Sequence, residues 1–258
     1  MNLLRISFIS TLLCFNAACI FGQKNKPGET YFAYDANWNP MSDIKKATYF
    51  ARVKKLSDTS WVVNNYNLVG PMVSKEVYKD KETKIAHGTW IYYKPTGYMD
   101  SICSFRDGLA HGKWYFWNDT GRAYLEKEFV NGRLIGTKDL LKNDSTNKVD
   151  TAEEPLIPEG EESQFPGGQG GWLKYLTKNL TYPERAVNSK KEGMVVVQFI
   201  VNKEGGTEDI DLYKSVEFSL DEEAIRMIAK SPRWKPAVQD GRVVKSYRRE
   251  PMVFRLPK

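Results

Sequence analysis

Few side chains in this sequence could do chemistry on their own. His87 and His111 are its only histidines, and they stand 24 residues apart at matching places of an internal repeat. Two imidazoles could begin a zinc site, but such a site takes three or four ligands. No cysteine or carboxylate pattern supplies the others, so each histidine reads as part of a turn, packed on the aromatic residue that follows. Cys103 is the one cysteine outside the first 22 residues. A nucleophile needs a base and a group to orient that base, and neither accompanies it, so it reads as a small buried residue. FPGGQGG (165–171) lacks the Lys-Ser/Thr of a phosphate-binding loop and reads as a flexible lead-in to a helix. The acids in SLDEE (219–223) suit a helix N-terminus, and nothing pairs them as acid and base. The expectation is a non-enzymatic protein with no catalytic residue, no metal, no cofactor and no small-molecule substrate.

The elements that carry these residues follow from composition and period. The chain has 258 residues, 41% hydrophobic and 27% charged, with 7 Trp, 14 Tyr and 12 Phe. That is ordinary globular composition for one or two domains, and the aromatic content favours strands. Residues 1–22 read as an export signal, with Arg5 ahead of the apolar run Ile6–Gly22. A retained membrane anchor and a lipoprotein signal at Asn16-Ala17-Ala18-Cys19 are the alternatives. Removal of the segment would take Cys14 and Cys19 with it and leave no intramolecular disulfide. The formal net charge is +6, and from Arg226 to Lys258 ten basic residues face two acids, a patch suited to an acidic partner or a solvated surface. It carries no nucleic-acid-binding signature, so no nucleic-acid partner is expected.

AHGTWIYYKPTG (86–97) realigns with AHGKWYFWNDTG (110–121), and FRDGLAHG (105–112) with FVNGRLIG (129–136), at the same spacing of 24. The reading is a run of β-hairpins: WIYY and WYFW as strands, KPTG and NDTG as turns, with Asp107-Gly108 and Asn131-Gly132 as tight turns. Each unit needs its neighbour to cover its apolar face. These repeats resemble the MORN-like, antitoxin-type variants of bacterial exported proteins over about residues 60–137. Residues 138–164 are polar, with a cluster of acids from Glu153 to Glu162, and read as a linker between a repeat region (23–137) and a C-terminal domain (165–258).

The C-terminal segment reads as compact α+β. Trp172, Leu173, Leu176 and Leu180 recur at helical spacing, and Pro183 suits the first turn of a second helix. Val195, Val197, Phe199 and Val201 alternate as a strand before a Lys203–Gly206 turn. A second strand follows, then a helix over residues 219–229 with Ser219 as its N-cap. In SPRWKPA (231–237), Pro232 ends that helix, Trp234 packs between helix and sheet, and Pro236 holds the chain extended.

Tyr182-Pro183, Glu192-Gly193, Leu220-Asp221 with Ala224, Trp234-Lys235-Pro236 and the turn Asp240-Gly241 occur in one order. In that order they resemble the C-terminal domain of the TonB energy-transducer family, over about residues 165–258. The resemblance implies helices on a small antiparallel sheet, and a periplasmic domain that binds the N-terminal box of outer-membrane receptors by strand addition, in energy-linked transport. It implies partner contacts at Val244, Tyr247, Arg248, Arg249, Met252 and Phe254, on strands Val244–Tyr247 and Met252–Leu256, with the two arginines steering an acidic box. It implies structural roles for Tyr182, Pro183, Gly193, Pro232, Trp234, Pro236 and Gly241. Inner-membrane motor proteins are a further implied partner. The family's membrane helix and long Pro/Lys-rich spacer have no counterpart here, which leaves an unenergised periplasmic or envelope adaptor as the alternative.

Overall fold

A computed structural model describes residues 28–142 and 160–256. The N-terminal segment with its signal, anchor and lipid alternatives lies outside the described residues. The chain divides into two compact units at Asn143/Asp144.

The first unit is all β. Its strands are β1 (Glu29–Tyr34), β2 (Pro40–Met41), β3 (Tyr49–Ser57), β4 (Ser60–Asn67), β5 (Met72–Tyr78), β6 (Gly88–Tyr93), β7 (Met99–Arg106), β8 (Leu109–Ala110), β9 (Gly112–Trp117), β10 (Ala123–Val130) and β11 (Arg133–Asp139). They form one antiparallel sheet in the order β11-β10-β9-β7-β6-β5-β4-β3-β1-β2, with β8 paired to β7. The 24-residue period becomes successive hairpins, β6–β7 and β9–β10. Asp107-Gly108 and Asn131-Gly132 take positive φ at both residues, as a tight two-residue hairpin turn requires.

One face of this sheet carries a ladder of rings. Trp90 lies 4.6 Å from Phe105, Phe105 5.3 Å from Trp114, and Trp114 4.5 Å from Phe129, centroid to centroid. Trp90 and Trp114 are one repeat apart, as are Phe105 and Phe129, so the sequence period is a stacking period. Tyr34, Ala51, Val63, Tyr78, Trp90 and Cys103 form the buried row of this unit. Burial pushes the Cys103 thiol up to about 12, so it stays protonated and inert.

The second unit is α+β. It comprises β12 (Gly160–Glu161), α1 (Gly168–Asn179), α2 (Glu184–Asn188), β13 (Gly193–Val201), β14 (Thr207–Lys214), α3 (Phe218–Ala229), β15 (Ala237–Gln239), β16 (Arg242–Val244) and β17 (Ser246–Phe254). Two three-stranded antiparallel sheets result, β14-β13-β17 and β12-β15-β16. Val195, Val197, Phe199 and Val201 are fully buried, joined by Leu212 and by Leu220, Ala224, Met227 and Ile228 of α3.

Trp234 is 3% exposed. Its ring meets Phe199 of β13 at 5.1 Å, Trp172 of α1 at 5.9 Å and Phe165 at 5.3 Å, and its indole N–H donates to Ser231 Oγ at 2.9 Å. The corner closes against the β13–β14 turn. Trp234 N donates to Gly205 O at 2.9 Å, and a Cβ on Gly205 would stand 2.2 Å from Trp234 O. Only glycine fits there.

Three local expectations change. The cap of α3 is Glu217, whose carboxylate accepts from Ser219 N at 2.8 Å, so Ser219 lies inside the helix. The helix starts two residues earlier than expected, and the donor its cap satisfies is Ser219's own N–H. The glycines of FPGGQGG are not a loose lead-in, because α1 already begins at Gly168. A Cβ on Gly171 would fall 2.0 Å from Pro166 O, so the glycine serves close packing. Both ends of the expected linker are structured: β11 runs through Asp139, and from Gly160 the chain belongs to the second unit. Ser163 is fully buried, and Gln164 exchanges backbone bonds with Lys235. Ladder pairing uses backbone groups, which polar composition does not reveal.

Candidate functional site

The partner residues expected from sequence cluster around β17, and its register shows what that strand offers. β17 pairs with β13 over nine residues without a bulge, from Val201↔Ser246 to Gly193↔Phe254. In an antiparallel pair, hydrogen-bonded and non-hydrogen-bonded pairs alternate. Asn202, at the end of β13, donates its N–H to Gly206 O on the β14 side at 2.9 Å. Even-numbered residues of β13 therefore bond toward β14 and odd-numbered ones toward β17. The β17 partners of those odd residues are Ser246, Arg248, Glu250, Met252 and Phe254. Tyr247, Arg249, Pro251 and Val253 are left with their backbone groups turned to the other side. Pro251 has no N–H to lose there, which is where a sheet tolerates proline.

No strand follows β17 in its sheet among the described residues. The backbone groups of those four residues thus lie along the sheet's edge among the described residues. The opposite edge, β14, is a poorer template. Its register with β13 shifts twice, and Asp209 sits at φ 47°. Bulges of this kind twist an edge away from further pairing.

The six expected contact residues separate under this geometry. Tyr247 is 60% exposed, and Arg249 is also exposed, its guanidinium 3.9 Å above the Tyr213 ring. Arg248 turns inward: it donates to Glu250 at 2.7 Å and to Ser163 O at 2.9 Å, and lies 5.8 Å from the Trp234 ring. Its charge is committed inside the fold, so of the two arginines only Arg249 faces outward. Met252 and Phe254 are each 1% exposed. They anchor the strand in the core and cannot meet a partner through their side chains. Val244 belongs to β16, where it pairs with Ala237 in the other sheet. Pro251 and Val253 complete the outward set, and the alternation of EPMVF (250–254) was the signal for them.

The expected structural residues surround this strand. Tyr182 donates its hydroxyl to Lys191 O at 2.5 Å and sets its ring edge-on to Phe254 at 5.9 Å. Pro183 is the N-cap of α2, one place before the first turn expected for it. Gly193 opens β13 at φ 153°, and Asp240-Gly241, both at positive φ, turn β15 into β16. Pro232 and Pro236 flank Trp234 beyond the end of α3. At the start of α3, Glu217 and Asp221 are fully buried and satisfied: Glu217 pairs with Arg185, and Asp221 accepts from Val216 N at 3.0 Å.

The histidines do not come together as ligands. His87 Nδ1 accepts from Asp107 N at 3.4 Å, whereas His111 Nδ1 is buried without a partner. Among the described residues no three His, Cys, Asp or Glu side chains group as a metal site, and no helix is long and apolar enough to cross a membrane.

Comparison with known proteins falls on the same unit. Residues 178–256 match the family model described as the C-terminal domain of the Gram-negative bacterial TonB protein. A search of curated proteins finds no match. Among solved structures, the chain is similar to the solution structure of the TonB C-terminal domain of Helicobacter pylori. The identity is 22%, over 33% of this chain and 78% of that one, with a TM-score of 0.27. At that score the likeness carries no argument, and the family match covers residues 178–256 of the C-terminal unit.

Proposed function

We propose that the C-terminal unit captures an extended peptide from an outer-membrane receptor by strand addition along β17, in service of energy-linked transport. The observation that carries this reading is the unbulged nine-residue register of β17 on β13, which leaves one regular edge with Tyr247, Arg249, Pro251 and Val253 turned outward. The TonB C-terminal match over residues 178–256 supports the partner class. Backbone pairing provides affinity, and side chains at alternate positions provide choice. At about 1 kcal/mol net per hydrogen bond, several such bonds hold a reversible contact, in roughly the millimolar-to-micromolar range. Arg249, the arginine of the strand that faces outward, favours an acidic side chain in the peptide.

The test is titration of the full chain with a synthetic receptor box peptide, read by calorimetry. Tyr247→Pro and Val253→Pro each delete an outward N–H and leave the β13 ladder intact. Each should weaken binding about fivefold or more while the melting temperature stays near that of the parent. Unchanged binding in both variants would overturn the reading. The second reading, an unenergised envelope adaptor, is favoured by the lack of a Pro/Lys-rich spacer in the sequence. The intact mass of the protein from its own cells separates the two: a retained segment 1–22 fits a transducer, and a cleaved or lipidated start fits an adaptor.

A further inference from the structure

The repeat unit contains a second device that peptide capture does not use. Two β-bulges recur one period apart. Opposite β6 the register jumps from Tyr92↔Ser101 to Tyr93↔Met99, which leaves Asp100 as the extra residue. Opposite β9 it jumps from Phe116↔Leu125 to Trp117↔Ala123, which leaves Tyr124. Asp100 and Tyr124 are 24 residues apart and so occupy the same repeat position. Bulges re-aim side chains and often border binding sites.

The register brings these two residues to one place. Ile102 faces Tyr115 across β7 and β9, and Tyr115 faces Glu126 across β9 and β10. Asp100, Trp117 and Tyr124 stand on three adjacent strands. Together with the turn residues Lys94, Asn118 and Asp119 they line one shallow groove of about 580 Å³, open to solvent along most of its extent.

Its chemistry is mixed. Lys94 Nζ bonds Asp119 Oδ1 at 2.7 Å, and among the described residues the Asp100 carboxylate receives only the Ser101 hydroxyl, at 3.3 Å. Asn118 Oδ1 is occupied by its own turn, taking Thr120 N and Arg122 N. Among the described residues the Trp117 indole N–H and the Tyr124 hydroxyl have no hydrogen-bond partner. A cationic ligand would meet the Lys94 ammonium, and an anionic one would meet Asp100 and Asp119. A purely apolar one would strand these polar groups, at a cost for each. A neutral ring with several hydroxyls and an apolar face satisfies all of them.

We propose that this groove between successive repeat hairpins binds a saccharide of one or two rings. A pyranose lies with its C–H face on Trp117, where weakly positive C–H bonds meet the negative π face. Its hydroxyls donate to Asp100 and accept from Trp117 Nε1, Tyr124 Oη and Lys94 Nζ.

The experiment is calorimetric titration of the full chain with cellobiose, with chitobiose and, as a cationic control, with choline. Saturable binding of either disaccharide is expected. A preference for chitobiose would mark an N-acetylated wall glycan as the source, and a preference for cellobiose a plain glucan. Trp117→Ala should weaken binding about tenfold or more, and the isosteric Asp100→Asn several-fold, with circular dichroism unchanged. Tyr247→Pro, in the other unit, should leave it intact. Binding of choline alone, binding of neither disaccharide, or equal affinity in folded Trp117→Ala and Asp100→Asn would each overturn the proposal.

Discussion

Glu76 is a carboxylate of the first unit whose protonation folding alters. Its carboxylate accepts from the Tyr78 hydroxyl at 2.6 Å and the Ser74 hydroxyl at 2.7 Å, with the Asn65 amide at 3.3 Å. Those bonds favour the charged form, but burial outweighs them and holds the group above its ordinary value of 4.5. An acid whose pKa rises on folding adds stability below its unfolded value and loses that stability as pH climbs through the folded one. Glu76→Gln cannot ionise. Its melting temperature should equal the parent's below about pH 4.5 and exceed it increasingly toward neutrality. A difference that does not grow with pH would show that the carboxylate is not desolvated. Nothing in SKEVY (74–78) announces this group, because its surroundings are assembled by the sheet: its charge also reaches Tyr34 and Tyr92 on other strands and raises their hydroxyls.

At the scale of elements, period predicts more than composition does. The alternation in MVVVQFIV and the 24-residue repeat gave strands, turns and inward faces directly, since both periods are set by backbone geometry. The α3 cap and the linker ends were hidden, because Glu217 and residues 160–164 are fixed by partners elsewhere in the chain. Choosing contact residues on β17 by type, not by parity, placed Met252 and Phe254 on the wrong side. The same parity yields a mutational contrast. Met252→Ala should cost about 2–5 kcal/mol, as buried methionine truncations do. Val253→Ala, next to it and 56% exposed, should stay within about 0.5 kcal/mol. Urea denaturation of the two variants checks this, and similar midpoints would refute the face assignment.

At the scale of the whole molecule, each unit has a core of its own: the row from Tyr34 to Cys103 in one, and the set around Phe199 and Trp234 in the other. Separate cores imply separate melting. Trp114→Ala removes a rung of the ring ladder, and Trp234→Ala empties the corner of the second unit, each at about 3–5 kcal/mol. Calorimetry should show two transitions, with each variant lowering one and leaving the other in place. A single transition shifted by both would mean that the units unfold together. The architecture joins a repeat sheet, whose grooves lie between hairpins, to a unit that matches the TonB C-terminal family model over residues 178–256 and ends its sheet in a regular strand. Strand β17 also divides its nine positions between two kinds of selection. The inward residues answer to the core and can change little without loss of the fold. The outward ones touch almost nothing that folding depends on, so they can be exchanged at low cost. A lineage carrying this strand can therefore change the surface that strand addition would use without first acquiring stability to spare.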